Sequence, residues 1–234
     1  MRLRLEGADA GYGDMLVLRG MDFTIGTGEV AALFGPNGAG KSTLLRALTG
    51  LVPLSAGRLY VDETRVLRPS VHALAHAGIC HITQGRSIFD ALTVRENIRL
   101  FSSRAHEREG LERAVSAFPA LGKRLDQLAS TLSGGEQQML ALSRAYVCAA
   151  RVVLVDELSL GVAPVVLDDI FRSLSDLARN GAGLLIVEQY VSRALAIAQR
   201  AYVLSRGAIV FDGSPRTLSQ DAAFDRYLAI DAPT

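Results

Sequence analysis

The chain has no tryptophan, two cysteines and few aromatic residues, 6% in all, and each scarcity closes a route. Cys80 and Cys148 are too few to staple a small secreted fold. Nor do they share metal-ligand spacing with His72, His76, His81 or His106, so the histidines read as surface or satisfied core residues and the cysteines as small buried hydrophobes. Neither sign of charge dominates: 25 basic side chains stand against 24 acidic ones, a net charge of +1. Such a chain has no single-signed field to capture nucleic acid or anionic lipid, and neither is an expected partner. Long apolar runs are missing too, because 152–155 and 183–187 fall far short of the roughly 18 residues that span a bilayer. Residues 1–6 alternate polar and apolar and lack the unbroken core of a signal peptide. The expected compartment is a reducing cytosol, with any membrane association made through a partner.

Apolar residues make up 49% of the 234, enough to bury the core of one domain with a subdomain. Period-2 alternation and short apolar runs predict strands at 2–6, 21–25, 29–34, 59–62 and 78–82. From 93 to 148 the spacing turns helical, opening on the capping box Thr93-Val94-Arg95-Glu96 ahead of Ile98, Leu100 and Phe101. Strands at 152–155, 184–187 and 201–204 then alternate with helices near 165–177 and 191–198. Strands this apolar belong to a parallel sheet buried on both faces, so the fold class is α/β. Ser205-Arg206-Gly207 predicts a hairpin into 208–211, and short helices at 216–218 and 222–230 finish the chain.

The most informative segment is Gly35-Pro36-Asn37-Gly38-Ala39-Gly40-Lys41-Ser42-Thr43, which fits G-x-x-x-x-G-K-[ST] between the apolar run Val30 to Phe34 and a helix through Leu44, Leu45, Ala47 and Leu48. Its glycines let the backbone close round a phosphate with N–H groups pointing inward, Lys41 reaches the outer phosphates, and the Ser42 hydroxyl is a magnesium ligand. The helix adds its positive N-terminal end. A second helix start, Leu132-Ser133-Gly134-Gly135-Glu136-Gln137-Gln138, pairs a capping box with two glycines that admit a close ligand. The strand at 152–155 ends in Asp156-Glu157, where ligands of open α/β sheets sit. Asp156 is placed to hold magnesium there, through water, and Glu157 to polarise the water that attacks a terminal phosphate.

In this order of motifs the chain resembles, from end to end, the ATP-binding subunits of ABC transporters. The resemblance implies a RecA-like P-loop core with an antiparallel β subdomain, made of 1–84 and 151–234, and an inserted helical signature subdomain at 85–150, the whole family domain running over 2–231. It implies ATP and Mg2+ as ligands and ATP hydrolysis as the activity, with Lys41, Glu157 and Gln189 catalytic and Ser42, Gln84 and Asp156 at the metal. Tyr12 stands where the family stacks an aromatic on adenine. Gln84 matches the glutamine that senses magnesium and contacts the membrane partner. Family members pair head to tail, so Ser133, Gly134 and Gly135 would meet the γ-phosphate held by a second ATPase subunit, identical or not. The site implied is peripheral, on the inner face of the cell membrane, docked on transmembrane permease subunits near Gln84 and Arg86 to Leu92.

Residues 132–141, Asp156-Glu157-Leu158-Ser159-Leu160-Gly161-Val162-Ala163-Pro164 and Val187-Glu188-Gln189 are most similar to the ATPases of branched-chain amino acid importers. Gln189 stands where most of the family has histidine; glutamine still hydrogen-bonds a phosphate oxygen and never becomes charged, so activity with weaker pH dependence is expected. Leu158 replaces a proline, which would loosen its turn by restoring φ freedom. Ala163 replaces an aspartate that many relatives carry, and Gln84 stands where the branched-chain branch often has glutamate. The alternative, a non-transport ABC ATPase of DNA repair or ribosomes, would need coiled-coil insertions, zinc cysteines or a basic surface, and the sequence has none.

Overall fold

Two glycines in the left-handed region, Gly7 at φ 52° and Gly20 at φ 54°, shape the start of the chain. The computed structural model describes residues 1–83, 85, 87–102, 106–158 and 162–219. Strand β1 (Arg2–Tyr12) buries Leu3 and Leu5, then Ala8 and Ala10, because a bulge at Gly7 moves the inward face by one residue. Strand β2 (Met15–Gly26) does the same at Gly20, burying Leu18, then Met21, Phe23 and Ile25. Period-2 reading loses each strand at its bulge, which is why expectation stopped at 2–6 and began at 21. Strand β3 (Val30–Phe34) is buried at every position and leads into helix α1 (Lys41–Leu48).

Strand β4 (Leu54–Val61) and the two-residue β5 (Thr64–Arg65) complete a four-stranded antiparallel sheet in the order β2-β1-β4-β5. Helix α2 (Val71–His76), which sequence spacing did not reveal, starts at Ser70, whose hydroxyl accepts from the Ala73 N–H at 3.3 Å. After β6 (Ile79–Ile82) come α3 (Val94–Phe101), α4 (Glu107–Ala117), the four-residue α5 (Pro119–Gly122), a 3-10 turn at Ala129–Thr131 and α6 (Gly134–Val147). Both expected capping boxes are formed, Thr93 with Glu96 and Ser133 with Glu136. Fully buried Asn97 then ties 89–93 to α3: its Oδ1 accepts from the Phe89 N–H at 2.7 Å and its Nδ2 donates to the Phe89 carbonyl at 3.0 Å.

Strand β7 (Val152–Asp156), helix α7 (Pro164–Arg179), β8 (Gly183–Val187), α8 (Val191–Ile197), β9 (Arg200–Ser205), β10 (Ala208–Gly213) and α9 (Pro215–Ser219) follow as the alternation predicts. The expected helix at 222–230 lies outside the described residues. The second sheet runs β10-β9-β3-β8-β7-β6, parallel from β9 to β6, with β10 antiparallel on the predicted hairpin. Its strands β3, β6, β7 and β8 are buried at every position because each face meets its own core. Val30, Ala32, Phe34, Val153, Val155, Leu184 and Ile186 face Leu140, Leu142, Leu167 and Leu174 of α6 and α7. Ala31, Leu33, Val152, Leu154 and Leu185 face Leu44, Leu45 and Leu48 of α1 and the inner side of the antiparallel sheet.

Two expectations are corrected. Cys148 is not a buried hydrophobe: it is the C-cap of α6 and exposed. His81, neither a surface residue nor a satisfied core one, is 9% exposed with both ring nitrogens unpaired. Burial, with Arg46 and Arg144 nearby adding positive charge, pushes its pKa down from 6.5 to about 4. The unfolded chain therefore takes up a proton at 6.5 that the folded chain refuses until about 4, so stability falls as pH drops through that window. The expected loss is on the order of 3 kcal/mol by the bottom of the window. Urea titrations of wild type and His81→Gln at several pH values between those limits should show a smaller slope in the variant; equal slopes would remove His81 as the cause.

Candidate functional site

Loop 35–43 leaves the buried β3 through Gly35, whose φ is 145°; a Cβ there would meet the Leu204 carbonyl oxygen at 2.1 Å, so only glycine fits. Gly40, at φ 109°, is the N-cap of α1 and supplies no side-chain cap, and the first turn holds no acidic residue. Backbone bonds close the loop and tie it to the β9–β10 turn: the Ala39 N–H donates to the Pro36 carbonyl at 3.1 Å and the Gly207 N–H to the Ala39 carbonyl at 3.0 Å. Lys41 folds back over it, with Nζ 2.6 Å from the Gly35 oxygen and 3.0 Å from that of Pro36. Asn37 and Gly38 form its exposed tip, and Ala39 and Thr43 are buried beneath. A helix start of this kind, uncapped and without negative charge, is an anion site.

Asp156 ends β7 beside this loop. It is 4% exposed, yet its Oδ1 has no hydrogen-bond partner. Burial raises its pKa, against the pull of the nearby Ser42 hydroxyl and of Arg46 and Lys41. A buried carboxylate oxygen left open next to a hydroxyl suits a hard cation completed by phosphate oxygens and water, which is how magnesium is held. No cluster of three or more His, Cys, Asp or Glu ligands occurs among the described residues, so a softer metal has no cage here.

Glu157 follows in the left-handed region at φ 50°, rare for a side chain of its size. Its N–H donates to the Val187 carbonyl at 2.9 Å, and its Oε2 accepts from Gln189 Nε2 at 3.3 Å. Leu158 is 1% exposed and anchored in the core, and residues 159–161, which follow it, lie outside the described residues. Tyr12, at the end of β1, is 41% exposed and its hydroxyl accepts from Arg46 Nη1 at 2.8 Å. Sequence reading missed Arg46, which links Tyr12 to the charge balance of Asp156; an arginine in the last turn of a helix carries no motif. Gln84 lies outside the described residues.

Ser133, Gly134 and Gly135 form a separate group at the start of α6. The Ser133 hydroxyl donates to Glu136 Oε2 at 2.8 Å, and Arg124 pairs with Glu136 Oε1 at 2.6 Å. Farther along the same helical block lies a cavity of about 1190 Å³. Leu51, Val71, Phe89 and Leu100, all more than 40% exposed, stand round it. No described helix is long and apolar enough to cross a membrane.

A family model described as ABC transporter matches residues 18–159. The high-affinity branched-chain amino acid transport ATP-binding protein BraG of Pseudomonas aeruginosa is 38% identical over 93% of the chain and 95% of its own length. The lipopolysaccharide export system ATP-binding protein LptB of Escherichia coli is 32% identical over 94% of each. Among solved structures, a nucleotide-free ATP-binding cassette from an ABC transporter superposes with a TM-score of 0.86 at 26% identity and full coverage of both chains. An ATP-binding cassette in its ADP conformation gives 0.85 at 26%, over 99% of this chain and 100% of its own. Together with the phosphate loop and the open carboxylate, these place the chain in the ABC transporter family, as an ATP-binding cassette that hydrolyses ATP with Mg2+.

Proposed function

We propose that this cassette powers import of a small polar solute, a branched-chain amino acid or a close relative, through separate permease subunits. Cassettes of the family form dimers and work with transmembrane permeases. The observation that supports import best is the 38% identity to a branched-chain transport subunit over nearly the whole of both chains. LptB, at 32% over a similar span, keeps export as the second reading. The working units proposed are a nucleotide-binding core of 1–84 and 151–234 and a helical signature subdomain of 85–150.

The roles follow from chemistry at each position. Lys41, already turned toward the loop, neutralises outer phosphates, and the N–H groups of 35–43 take their oxygens. Ser42 and Asp156, with Gln84, would hold the magnesium, which supplies charge neutralisation across the phosphates. Glu157 receives the proton of the attacking water, with Gln189 fixing its carboxylate by the bond seen at 3.3 Å. Tyr12 offers a ring face to adenine, and Ser133 to Gly135 act on nucleotide bound by the second subunit. The permease docks in the cavity ringed by Leu51, Val71, Phe89 and Leu100.

Replacing Glu157 with Gln keeps shape and removes the base, so single-turnover ATP hydrolysis should fall by roughly 10²–10⁴-fold while nucleotide binding persists. Wild-type turnover in that variant would take the role from Glu157. Gln189→His should introduce a limb near pH 6.5 into the kcat/KM profile, the range where histidine titrates, and wild type should lack it. A neutral limb in wild type that disappears in Gln189→Ala would contradict the assignment. Affinity purification of the tagged chain from gently solubilised membranes should recover two hydrophobic permeases and a second, non-identical ATPase. Recovery of envelope lipid-export components would favour export, and ribosomal or DNA-bound proteins would overturn transport.

A further inference from the structure

Cys80 and Cys148 take no part in the nucleotide site, yet both line the large cavity. Cys80 is 2% exposed in β6, whereas Cys148 ends α6 and is exposed. The backbone brings them together. After Cys148 the chain turns through Ala149 at φ 47°, and the N–H groups of Arg151 and Val152 both donate to the Gly78 carbonyl, at 2.8 and 3.1 Å. This binds the end of α6 to the start of β6, two residues before Cys80, and both cysteines line the same cavity, near enough for each thiol to perturb the other's ionisation.

We propose that Cys80 and Cys148 form a redox pair, which a peroxide entering the cavity oxidises to a disulfide tying the end of α6 to β6. The two sulfurs are chemically unequal. The neighbouring Cys80 thiol, with Arg144 adding positive charge, holds the Cys148 thiol below the ordinary thiol range. Cys80, beside Cys148 and buried, is pushed up. Cys148, the exposed one, is the thiol that peroxide reaches, and Cys80, 2% exposed behind it, is the resolving thiol.

The reaction balances. The Cys148 thiolate attacks one peroxide oxygen, the O–O bond breaks, and hydroxide leaves Cys148 as a sulfenic acid. The Cys80 sulfur then attacks the sulfenic sulfur, the S–O bond breaks, and water departs with the thiol proton. Two thiols lose two electrons and two protons, and the peroxide ends as two waters. The strap joins β6, which leads into the loop after Ile82, to the helix that Ser133 opens. Disulfides of reducing compartments are commonly of this transient, sensing kind.

The test uses the purified full chain, treated with hydrogen peroxide, alkylated after unfolding, digested and analysed by mass spectrometry. Expected are a Cys80–Cys148 peptide from within one chain, loss of alkylation at both sites, and recovery of both by dithiothreitol. In Cys148→Ala, a surface change, the crosslink should vanish and Cys80 should stay a thiol through the same exposure. Sulfinic or sulfonic acid at Cys148 with Cys80 intact would overturn the pair, as would a disulfide formed only between chains or no oxidation at either site. None of these outcomes depends on what the cassette transports.

Discussion

The parallel pairing of β3, β8 and β7 is the constraint on which the site depends. In that register Val187 stands beside Asp156 on one side and Leu33 on the other, so the carboxyl ends of three strands finish at one edge. The chain leaves β3 into the phosphate loop, β7 into Asp156 and Glu157, and β8 into Glu188 and Gln189. A slip of one residue would turn each strand's inward face outward, exchanging two cores built of different side chains. The strand ends that carry the site are therefore set by apolar packing. That arrangement permits Asp156 to keep an unpaired oxygen at 4% exposure, a feature costly to stability elsewhere in a fold.

The same economy appears in Glu157. A non-glycine residue at φ 50° persists because the Val187 carbonyl takes its N–H and the following Leu158 is locked in the core. Strain of about 1–3 kcal/mol at this position is absorbed by burial next to it. The turn aims the carboxylate toward Gln189 and away from the apolar faces of the sheet.

Much of this was legible in the sequence, and what was not has identifiable causes. The phosphate loop, Asp156-Glu157, both capping boxes and the β9–β10 hairpin are local patterns, and the structure places each where spacing put it. The bulges at Gly7 and Gly20 hid half of β1 and β2, because period-2 reading has no way to carry one extra residue. The bond from Gln189 to Glu157, the reach of Arg46 to Tyr12 and the meeting of Cys80 with Cys148 join residues far apart in sequence. No residue type announces such contacts, and they follow only from the sheet order. His81 is a special case: a polar residue in the strand Ile79–Ile82 reads as ordinary alternation, and only burial reveals its unpaired ring.

The two glycine-bearing helix starts differ in a way that bears on the proposed cycle. At α1 the N-cap is Gly40 with no side-chain bond and no acid in the first turn, so its N–H groups are directed to whatever anion the loop receives. At α6 the Glu136 carboxylate already takes the Ser133 N–H and hydroxyl, and Arg124 balances its charge. Burial opposes ionisation of Glu136, but the Ser133 bonds and Arg124 together hold its pKa low, so the cap stays charged. A start satisfied from within has little affinity of its own for a free phosphate, whereas an open one has much. On the proposed reading, nucleotide binds first at residues 35–43 of one subunit, and the weaker contacts of Ser133, Gly134 and Gly135 count only once a second subunit brings them close. Dimer closure then depends on bound nucleotide, because neither element alone distinguishes the closed state from the open one.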